Sequence, residues 1–203
     1  MWITRDVEPL LNRMASQFPA VLVTGARQTG KTSLLRHLFP RASYVTLDLP
    51  AHAEAAATAP DSLLNKYPEP LIIDEIQYAP ALLKYVKVRI DSNRTPGRFL
   101  LTGSQGFGLM EGVSESLAGR CGVLELLTLS YGEVHAAGYS SDELSYIFLG
   151  GYPELYVGAE WELWFPSYVA TYLERDVRNI SGNIPYIPLQ VSSHIGRKPE
   201  FPL

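Results

Sequence analysis

One eight-residue stretch near the N-terminus constrains this chain more than any other feature. Residues 25–32 read Gly-Ala-Arg-Gln-Thr-Gly-Lys-Thr and match the pattern G-x-x-x-x-G-K-[ST]. A short apolar run, Val21–Thr24, precedes the match, and a segment with helical spacing follows it. A strand, a glycine-containing turn and a helix in this order are the setting in which the pattern binds phosphate. We therefore predict an α/β fold in which residues 25–32 form a phosphate-binding loop, the P-loop.

Each position of the predicted loop has a physical task. Gly25 and Gly30 are expected to let the backbone turn tightly and approach the phosphates, and successive N–H groups form an anion-binding concavity. Lys31 is expected to reach the β and γ phosphates, and the hydroxyl of Thr32 is expected to hold Mg²⁺. The bland alternative is a strand-to-helix turn with a solvated lysine. The residues expected to contact the nucleotide are Gly25, Ala26, Arg27, Gln28, Thr29, Gly30, Lys31, Thr32 and Ser33.

A second apolar run, Leu71–Ile73, ends in two carboxylates, Asp74 and Glu75. This is the arrangement of a Walker-B strand, in which the first acid holds Mg²⁺ and the second orients or deprotonates the attacking water. An acidic strand end is a weak signal by itself. Its combination with the predicted P-loop assigns Asp74 to the metal and Glu75 to catalysis, beside Lys31.

Two further positions are candidates for the same site. The apolar run that begins at Phe99 ends in Thr102-Gly103-Ser104, and ligands of open α/β sheets bind beyond the carboxyl ends of strands. Thr102 or Ser104 is expected to sense the γ phosphate or position water, or else to cap a turn; the pattern does not choose between the two residues. Arg120 is expected to be either an arginine finger for a neighbouring subunit's nucleotide or a surface arginine.

Short apolar runs alternate with segments of helical spacing along the first two thirds of the chain. This alternation predicts a mainly parallel sheet with helices on both faces, followed by a short helical segment. We expect a P-loop core with an N-terminal helix over residues 1–138, a helical, aromatic-rich linker into a C-terminal domain over 139–180, and an irregular tail over 181–203. The predicted strands are 21–24, 44–47, 71–73, 99–102 and 123–127, and the predicted helices are 6–17, 32–38, 51–59, 81–90 and about 161–180.

Composition excludes several classes of protein. Apolar residues make up 46% of the 203 residues, which excludes disorder throughout, and a single cysteine, Cys121, excludes a disulfide scaffold. No secretory signal and no membrane span are evident, so we expect a cytoplasmic protein without a membrane partner. The four histidines lack metal-ligand spacing.

The net charge of −4 argues against a strongly basic surface. A local basic set is expected to be a solvated face rather than a nucleic-acid contact; it consists of Lys84, Lys87, Arg89, Arg94 and Arg98.

The motifs favour ATP over GTP. A GTPase should carry Asn-Lys-x-Asp after the Walker-B strand, whereas Asn65-Lys66-Tyr67-Pro68 lacks the acid and precedes Asp74. The Asp-x-x-Gly element of GTPases is missing as well, because Asp74 is followed by Glu75-Ile76-Gln77. The acid pair favours hydrolysis with a built-in base over transfer of phosphate to a small molecule.

Taken together, the motifs resemble a bacterial and archaeal family of AAA-type P-loop ATPases that carry a C-terminal domain of unknown function. The segments that carry the resemblance are residues 25–32, Leu47-Asp48, Ile73–Gln77, Ala79-Pro80, Leu101–Ser104, Ala118–Arg120, Gly150–Glu154 and Tyr172–Val177. The resemblance covers about residues 1–180 and implies ATP and Mg²⁺ at Lys31, Thr32, Asp74 and Glu75. Family members continue with a helical domain, which residues 181–203 do not resemble, so we expect a truncated or frameshifted product.

Three functions follow from these expectations. The first is Mg²⁺-dependent ATP hydrolysis that drives a conformational switch, with further copies of the chain as an expected partner. The second is a truncated nucleotide-binding fragment with little or no turnover. The third, which has the weakest support, is an ATPase associated with nucleic acid.

Overall fold

Five strands form one sheet in the structure, a computed structural model that describes residues 2–104, 112–113, 115–139 and 142–173. The strands are β1 (Ala20–Gly25), β2 (Ser43–Thr46), β3 (Leu71–Asp74), β4 (Phe99–Ser104) and β5 (Cys121–Glu125). Every pairing is parallel, in the order β2-β3-β4-β1-β5. All five carboxyl ends therefore lie at one edge of the sheet, which we call the carboxyl edge, and the opposite edge is the amino edge.

Helices connect the strands, as parallel pairing requires. In the first 104 residues they are α1 (Glu8–Gln17), α2 (Lys31–Leu38), α3 (Pro50–Thr58), α4 (Pro60–Lys66) and α5 (Leu82–Ser92). After β5 come α6 (Tyr131–Ala136), α7 (Glu143–Leu149) and α8 (Trp161–Tyr168). Short 3₁₀ turns cover Ile76–Tyr78 and Pro153–Tyr156.

Apolar layers cover both faces of the sheet. Along β1, Leu22 belongs to one buried cluster, whereas its neighbours Val21 and Val23 belong to the other, as the two-residue period of a strand requires. Helices α4 and α5 contribute to the first cluster, and α1 and α2 contribute to the second. The predicted fold class, a mainly parallel α/β sheet with helices on both faces, is confirmed.

Two elements differ from the sequence prediction. The single helix expected over 51–59 is followed by a second one, α4, because Pro60 begins a new helix that buries Leu63 and Leu64. The last strand was expected over 123–127, but β5 begins at Cys121, because pairing with β1 starts at Ala20 opposite Cys121. The apolar run of the sequence therefore extends past the strand.

The chain divides into two compact units, Met1–Val157 and Gly158–Leu203. The first contains the sheet. The second is described up to residue 173 and contains α8, in which Trp164 stacks on Tyr168 at 4.8 Å, followed by a π-helical turn, Val169–Leu173. The expected helix beyond residue 173 and the tail over 181–203 lie outside the described residues. No helix in the described ranges has the length and apolar character that a membrane span needs.

Candidate nucleotide site

The loop between β1 and α2 is built around two glycines with different local constraints. Gly25 has a φ of 140°, and a Cβ there would collide with the carbonyl oxygen of Leu126. Gly30 has a φ of 92°, and a Cβ there would meet no atom within 4 Å. The sequence pattern predicts that both glycines allow close approach to phosphate. In the structure the backbone of Gly25 lies close to the backbone of Leu126, just after β5, whereas the space next to the Cα of Gly30 is open.

Lys31 begins α2 and is buried, with 5% of its surface exposed. Its ammonium donates hydrogen bonds to two neutral acceptors, the carbonyl oxygens of Gly25 at 3.1 Å and Ala26 at 2.7 Å. Burial lowers the pKa of Lys31, and the nearby carboxylates of Glu75 and Asp74 raise it in part. The loop therefore contains a desolvated cation whose charge an anion at this place would stabilise.

Asp74 ends β3 at the carboxyl edge and accepts three side-chain hydrogen bonds. Thr32 and Thr102 each donate to its Oδ1 at 2.5 Å, and Tyr44 donates to its Oδ2 at 2.9 Å. The first donor comes from α2 and the other two from neighbouring strands. The structure thus brings the predicted residues Thr32, Asp74 and Thr102 together, and fixes both oxygens of the carboxylate.

Tyr44 is a site residue that the sequence analysis missed. Burial raises the pKa of its phenol to about 12, with a further contribution from Asp74, so the hydroxyl is a proton donor at neutral pH. The guanidinium of Arg36 lies 5.1 Å from the ring centroid. In the sequence, a tyrosine within a strand indicates only strand propensity; the pairing of β2 with β3 brings it to Asp74.

Glu75 adopts a left-handed backbone conformation, with φ 57° and ψ 49°. Such a conformation is costly for a residue with a side chain and is concentrated at functional sites. Its N–H donates to Thr102 Oγ1 at 3.0 Å, and its carboxylate accepts a hydrogen bond from the amide of Gln77. The sequence places Gln77 in the same motif as Glu75 but assigns it no role. The side-chain amide oxygen of Gln77, Oε1, is buried and lacks a hydrogen-bond partner in the described part of the chain.

The oxygen atoms at Asp74 fit a magnesium ion that binds together with phosphate. Within the described residues, no group of three or more histidine, cysteine or acidic side chains could hold a metal by itself. One carboxylate and one hydroxyl, Asp74 and Thr32, are hard oxygen donors that suit Mg²⁺, which commonly takes one or two carboxylates, phosphate oxygens and water. The donor set is therefore incomplete without a nucleotide and adequate with one.

The remaining predicted positions lie in different surroundings. Ser104 ends β4 and is half-buried, Ser33 is exposed on α2, and Gln28 is exposed with a φ of 61°. Thr102 is fully buried, and its hydroxyl donates to Asp74 and accepts from the N–H of Glu75, so it holds the acid pair in place. That Thr102 or Ser104 senses phosphate stays a prediction.

Arg120 lies at the other edge of the sheet. It directly precedes β5, and its guanidinium donates to both oxygens of Asp91 at 2.6 and 3.1 Å. This hydrogen bonding lowers the pKa of Asp91. Because β5 runs parallel to β1, Arg120 and the P-loop are separated by the length of a strand. Arg120 therefore does not reach the nucleotide site of its own chain.

Ion pairs occupy much of the basic set identified in the sequence. Lys87 pairs with Asp91 at 3.3 Å, Arg89 with Asp61 at 3.7 Å, and Arg98 with Glu69 at 2.5 Å. Charges neutralised in this way contribute little to phosphate binding. The arrangement favours the expected solvated face over a nucleic-acid contact.

One buried cation near the loop was not singled out from the sequence. Arg5 precedes α1, is 5% exposed, and donates a hydrogen bond to the carbonyl oxygen of Thr29 in the P-loop at 3.0 Å. An arginine near a chain start usually indicates a solvated side chain, and residues 5 and 29 share no local pattern. Only the tertiary fold brings them together.

Comparison with known proteins shows the family to which the chain belongs. Residues 17–135 match the family described as AAA domain, and the chain belongs to this family. It is also 35% identical over 185 residues to an uncharacterized protein of Mycobacterium bovis and, equally, to one of Mycobacterium tuberculosis. Each alignment covers 89% of this chain but 41% of the relative. The chain thus spans about two fifths of the length of these relatives.

The fold is shared with a solved ATPase structure. The Walker-type ATPase of Pyrococcus abyssi superposes with a TM-score of 0.59 at 17% identity, over 89% of this chain and 77% of that one. AMPPCP-bound DnaA from Aquifex aeolicus gives a TM-score of 0.49 at 12% identity, over 85% and 64%. Family and fold together define an AAA-type P-loop ATPase domain, and they support nucleotide binding. The C-terminal domain implied by the resemblance stays a prediction.

Proposed function

We propose that this chain binds ATP with Mg²⁺ and hydrolyses it, and that hydrolysis drives a conformational switch. One observation carries the proposal: Lys31, which is buried, and Thr32, whose hydroxyl donates to Asp74 at 2.5 Å, are consecutive residues at the start of α2, where the amide-rich loop ends. Lys31 forms no ion pair with an acid among the described residues, and it lies next to a hydroxyl–carboxylate pair, an arrangement that suits a triphosphate with its metal ion.

Binding would use the backbone as well as side chains. The loop N–H groups and the positive end of the α2 dipole attract the phosphates. Lys31 would transfer hydrogen bonds from the carbonyl oxygens of Gly25 and Ala26 to the β and γ phosphates. Thr32 and Asp74 would hold Mg²⁺, which supplies charge neutralisation of the phosphate oxygens. Thr102 and Tyr44 keep the carboxylate of Asp74 oriented through their hydrogen bonds.

Hydrolysis would depend on Glu75. The carboxylate accepts a proton from water as the water oxygen forms a bond to the γ phosphorus. The bond from that phosphorus to the bridging oxygen breaks, and ADP leaves with the electron pair. The left-handed backbone of Glu75, held by Thr102, supports this role because costly backbone conformations of this kind are concentrated at functional sites.

Arg120 belongs to the same proposal as a finger that acts between copies of the chain. If Arg120 is a finger, it can act only on a neighbour's nucleotide, because it lies a strand's length from its own P-loop. The guanidinium would exchange Asp91, its present partner, for the γ phosphate of that neighbour.

A second candidate is a nucleotide-binding protein with little turnover. It is favoured by the hydrogen bond from Gln77 to the carboxylate of Glu75, because a carboxylate engaged by an amide is less available to accept a proton from water. Both candidates share the binding site and differ only in the fate of the bound ATP.

The decisive experiment compares Glu75→Gln with wild type and with Glu54→Gln, an exposed position on α3. Calorimetry measures Mg-ATP binding, and release of phosphate measures turnover. We expect Glu75→Gln to retain binding and to lower turnover by about 100-fold or more, because a general base contributes factors of that order. The control should match wild type.

The outcomes separate the two candidates. Wild-type turnover as low as the release of phosphate from ATP without protein, with binding retained, would contradict the hydrolysis proposal and support the binding protein. Equal, faster turnover in wild type and Glu75→Gln would contradict the role of Glu75. Absence of binding heat from folded wild type would contradict both.

A further inference from the structure

The guanidinium of Arg5 joins three parts of the chain. Its Nη1 donates to the carbonyl oxygen of Thr29 at 3.0 Å, and its Nη2 donates to the carbonyl oxygens of Leu127 at 2.8 Å and Thr128 at 3.1 Å. Its Nε donates to Glu133 Oε1 at 3.1 Å. The planar fork of arginine suits this set of acceptors, whereas the single ammonium of lysine cannot reach all of them at once.

Glu133 anchors this guanidinium. The side chains of Arg5 and Glu133 are 6% and 4% exposed, so the ion pair is buried. The carboxylate also accepts hydrogen bonds from the backbone N–H groups of Asp6 at 2.6 Å and Ser130 at 2.7 Å, the latter as part of the capping box of α6. A pair held this firmly limits how far the guanidinium can move.

The loop contacts form a pattern. Carbonyl oxygens are the loop groups that would repel a phosphate, and three of them are turned toward side-chain donors. Gly25 accepts from Lys31, Ala26 accepts from Lys31 and from Thr29 Oγ1, and Thr29 accepts from Arg5. Arg5 is the member of this group of donors that lies outside the loop and its helix.

The contact with Thr29 fixes one peptide plane. In a trans peptide the C=O and the following N–H point in opposite directions, so the bond from Arg5 turns the N–H of Gly30 away from the guanidinium. Gly30 itself offers no side chain to hold its backbone, and glycine samples more conformations than any other residue. A restraint from outside the loop is therefore needed to keep this N–H in place.

We infer that Arg5 is a positioning residue for the P-loop, which holds the Thr29–Gly30 peptide with its N–H directed toward a bound phosphate. The inference rests on the proposed nucleotide binding. Arg5 acts through the backbone and does not touch the nucleotide. If Arg5 has only a structural role, its substitution lowers the stability of the fold. If it positions the P-loop, its substitution also lowers the affinity for phosphates and makes the Gly30 amide more mobile.

The test compares Arg5→Lys with Arg98→Lys. Arg98 is a matched control, because its guanidinium also binds one carboxylate, Glu69, and two carbonyl oxygens, those of Arg89 and Asn93. It lies at the amino edge, directly before β4. For each variant we would measure the unfolding midpoint, the Mg-ATP dissociation constant by calorimetry, and hydrogen exchange of the amides of residues 25–32 in ligand-free protein.

We expect both variants to lose stability. Only Arg5→Lys should weaken Mg-ATP binding by about tenfold, the factor typical of one displaced hydrogen bond to a charged group. Only Arg5→Lys should also speed exchange of the Gly30 amide relative to amides of β1. If Arg5→Lys does not fold, Glu133→Gln removes the ionic anchor at nearly constant shape, and the same two changes are expected to be smaller.

Two results would overturn the inference. One is a dissociation constant within about twofold of wild type together with unchanged loop exchange. The other is equal weakening by Arg98→Lys. Wild type that binds no Mg-ATP contradicts the proposed function, whereas exchange of the Gly30 amide still decides the role of Arg5.

Discussion

The two edges of the sheet use similar charged residues in opposite ways. At the carboxyl edge, Lys31 and Asp74 are buried, and Glu75 has a left-handed backbone. At the amino edge, the ion pair between Arg120 and Asp91 is partly exposed to solvent, with side-chain exposures of 25% and 38%. Both edges carry acidic and basic side chains, so the two edges differ in how deeply these charges are buried and not in which residue types are present.

This contrast separates structural from functional charge. Solvent-exposed ion pairs contribute little to stability and cost little to form. Buried charges and left-handed backbones are costly, and they persist where the surrounding fold over-determines them. We therefore expect substitutions at the carboxyl edge to affect nucleotide binding far more than substitutions at the amino edge.

The largest effect is expected from Lys31→Met. Loss of the ammonium should weaken Mg-ATP binding by about 100-fold or more, as calorimetry would measure. Ligand-free stability should be equal or higher, because the variant no longer buries a cation. Burial holds the pKa of Lys31 below its usual 10.5. The unfolding free energy of wild type should therefore rise relative to that of the variant as the pH rises toward 10.5, because the unfolded chain holds the Lys31 proton more tightly. Lys84→Met, on the exposed face of α5, is the control; equal loss of affinity there would contradict the contrast.

An intermediate effect is expected from Gly25→Ala. The new Cβ would collide with the Leu126 carbonyl, which should lower the free energy of unfolding by about 2 kcal/mol. Gly119→Ala is the matched variant at the amino edge, because Gly119 has a φ of 70° and free space at its Cα. Its cost should be the backbone cost alone, about 1 kcal/mol. Urea unfolding measures both, and equal losses would show that Leu126 yields.

The smallest effect on a single chain is expected from Arg120→Ala. Its side chain belongs to an exposed pair, so ligand-free stability should change little and the Mg-ATP dissociation constant should stay within about twofold of wild type. As a finger between copies, Arg120 should matter only at concentrations where ATP raises the mass in solution; there the variant should lose turnover. Wild-type turnover per chain that is independent of concentration would contradict the finger.

The sequence predicts where the loop and the acid pair lie in the fold, because each is a local pattern. Residues 25–32 carry their own turn, and Asp74 follows its own strand. The order of the strands was beyond reach, since β4 lies between β1 and β3 and no local signal marks that insertion. The sequence does not predict the roles of Tyr44 and Arg5 for the same reason, because each reaches the site by a contact between segments distant in the sequence.

The start of β5 shows how pairing overrides an apolar run. Val123–Leu127 is the more apolar stretch, yet the ladder with β1 begins at Cys121, and Leu127 is 67% exposed. Strand boundaries depend on which backbone groups find partners, a property that residue types alone do not encode.

The three hydroxyls around Asp74 also bear on selectivity among ions. An ionised carboxylate offers about four lone-pair directions, and Thr32, Thr102 and Tyr44 use three of them. While these donors stay in place, a cation can coordinate through a single remaining lone pair, whereas the two-oxygen grip common in calcium sites is closed off. The rotational entropy of this side chain is lost when the protein folds, so a cation that binds there would not have to restrict it again.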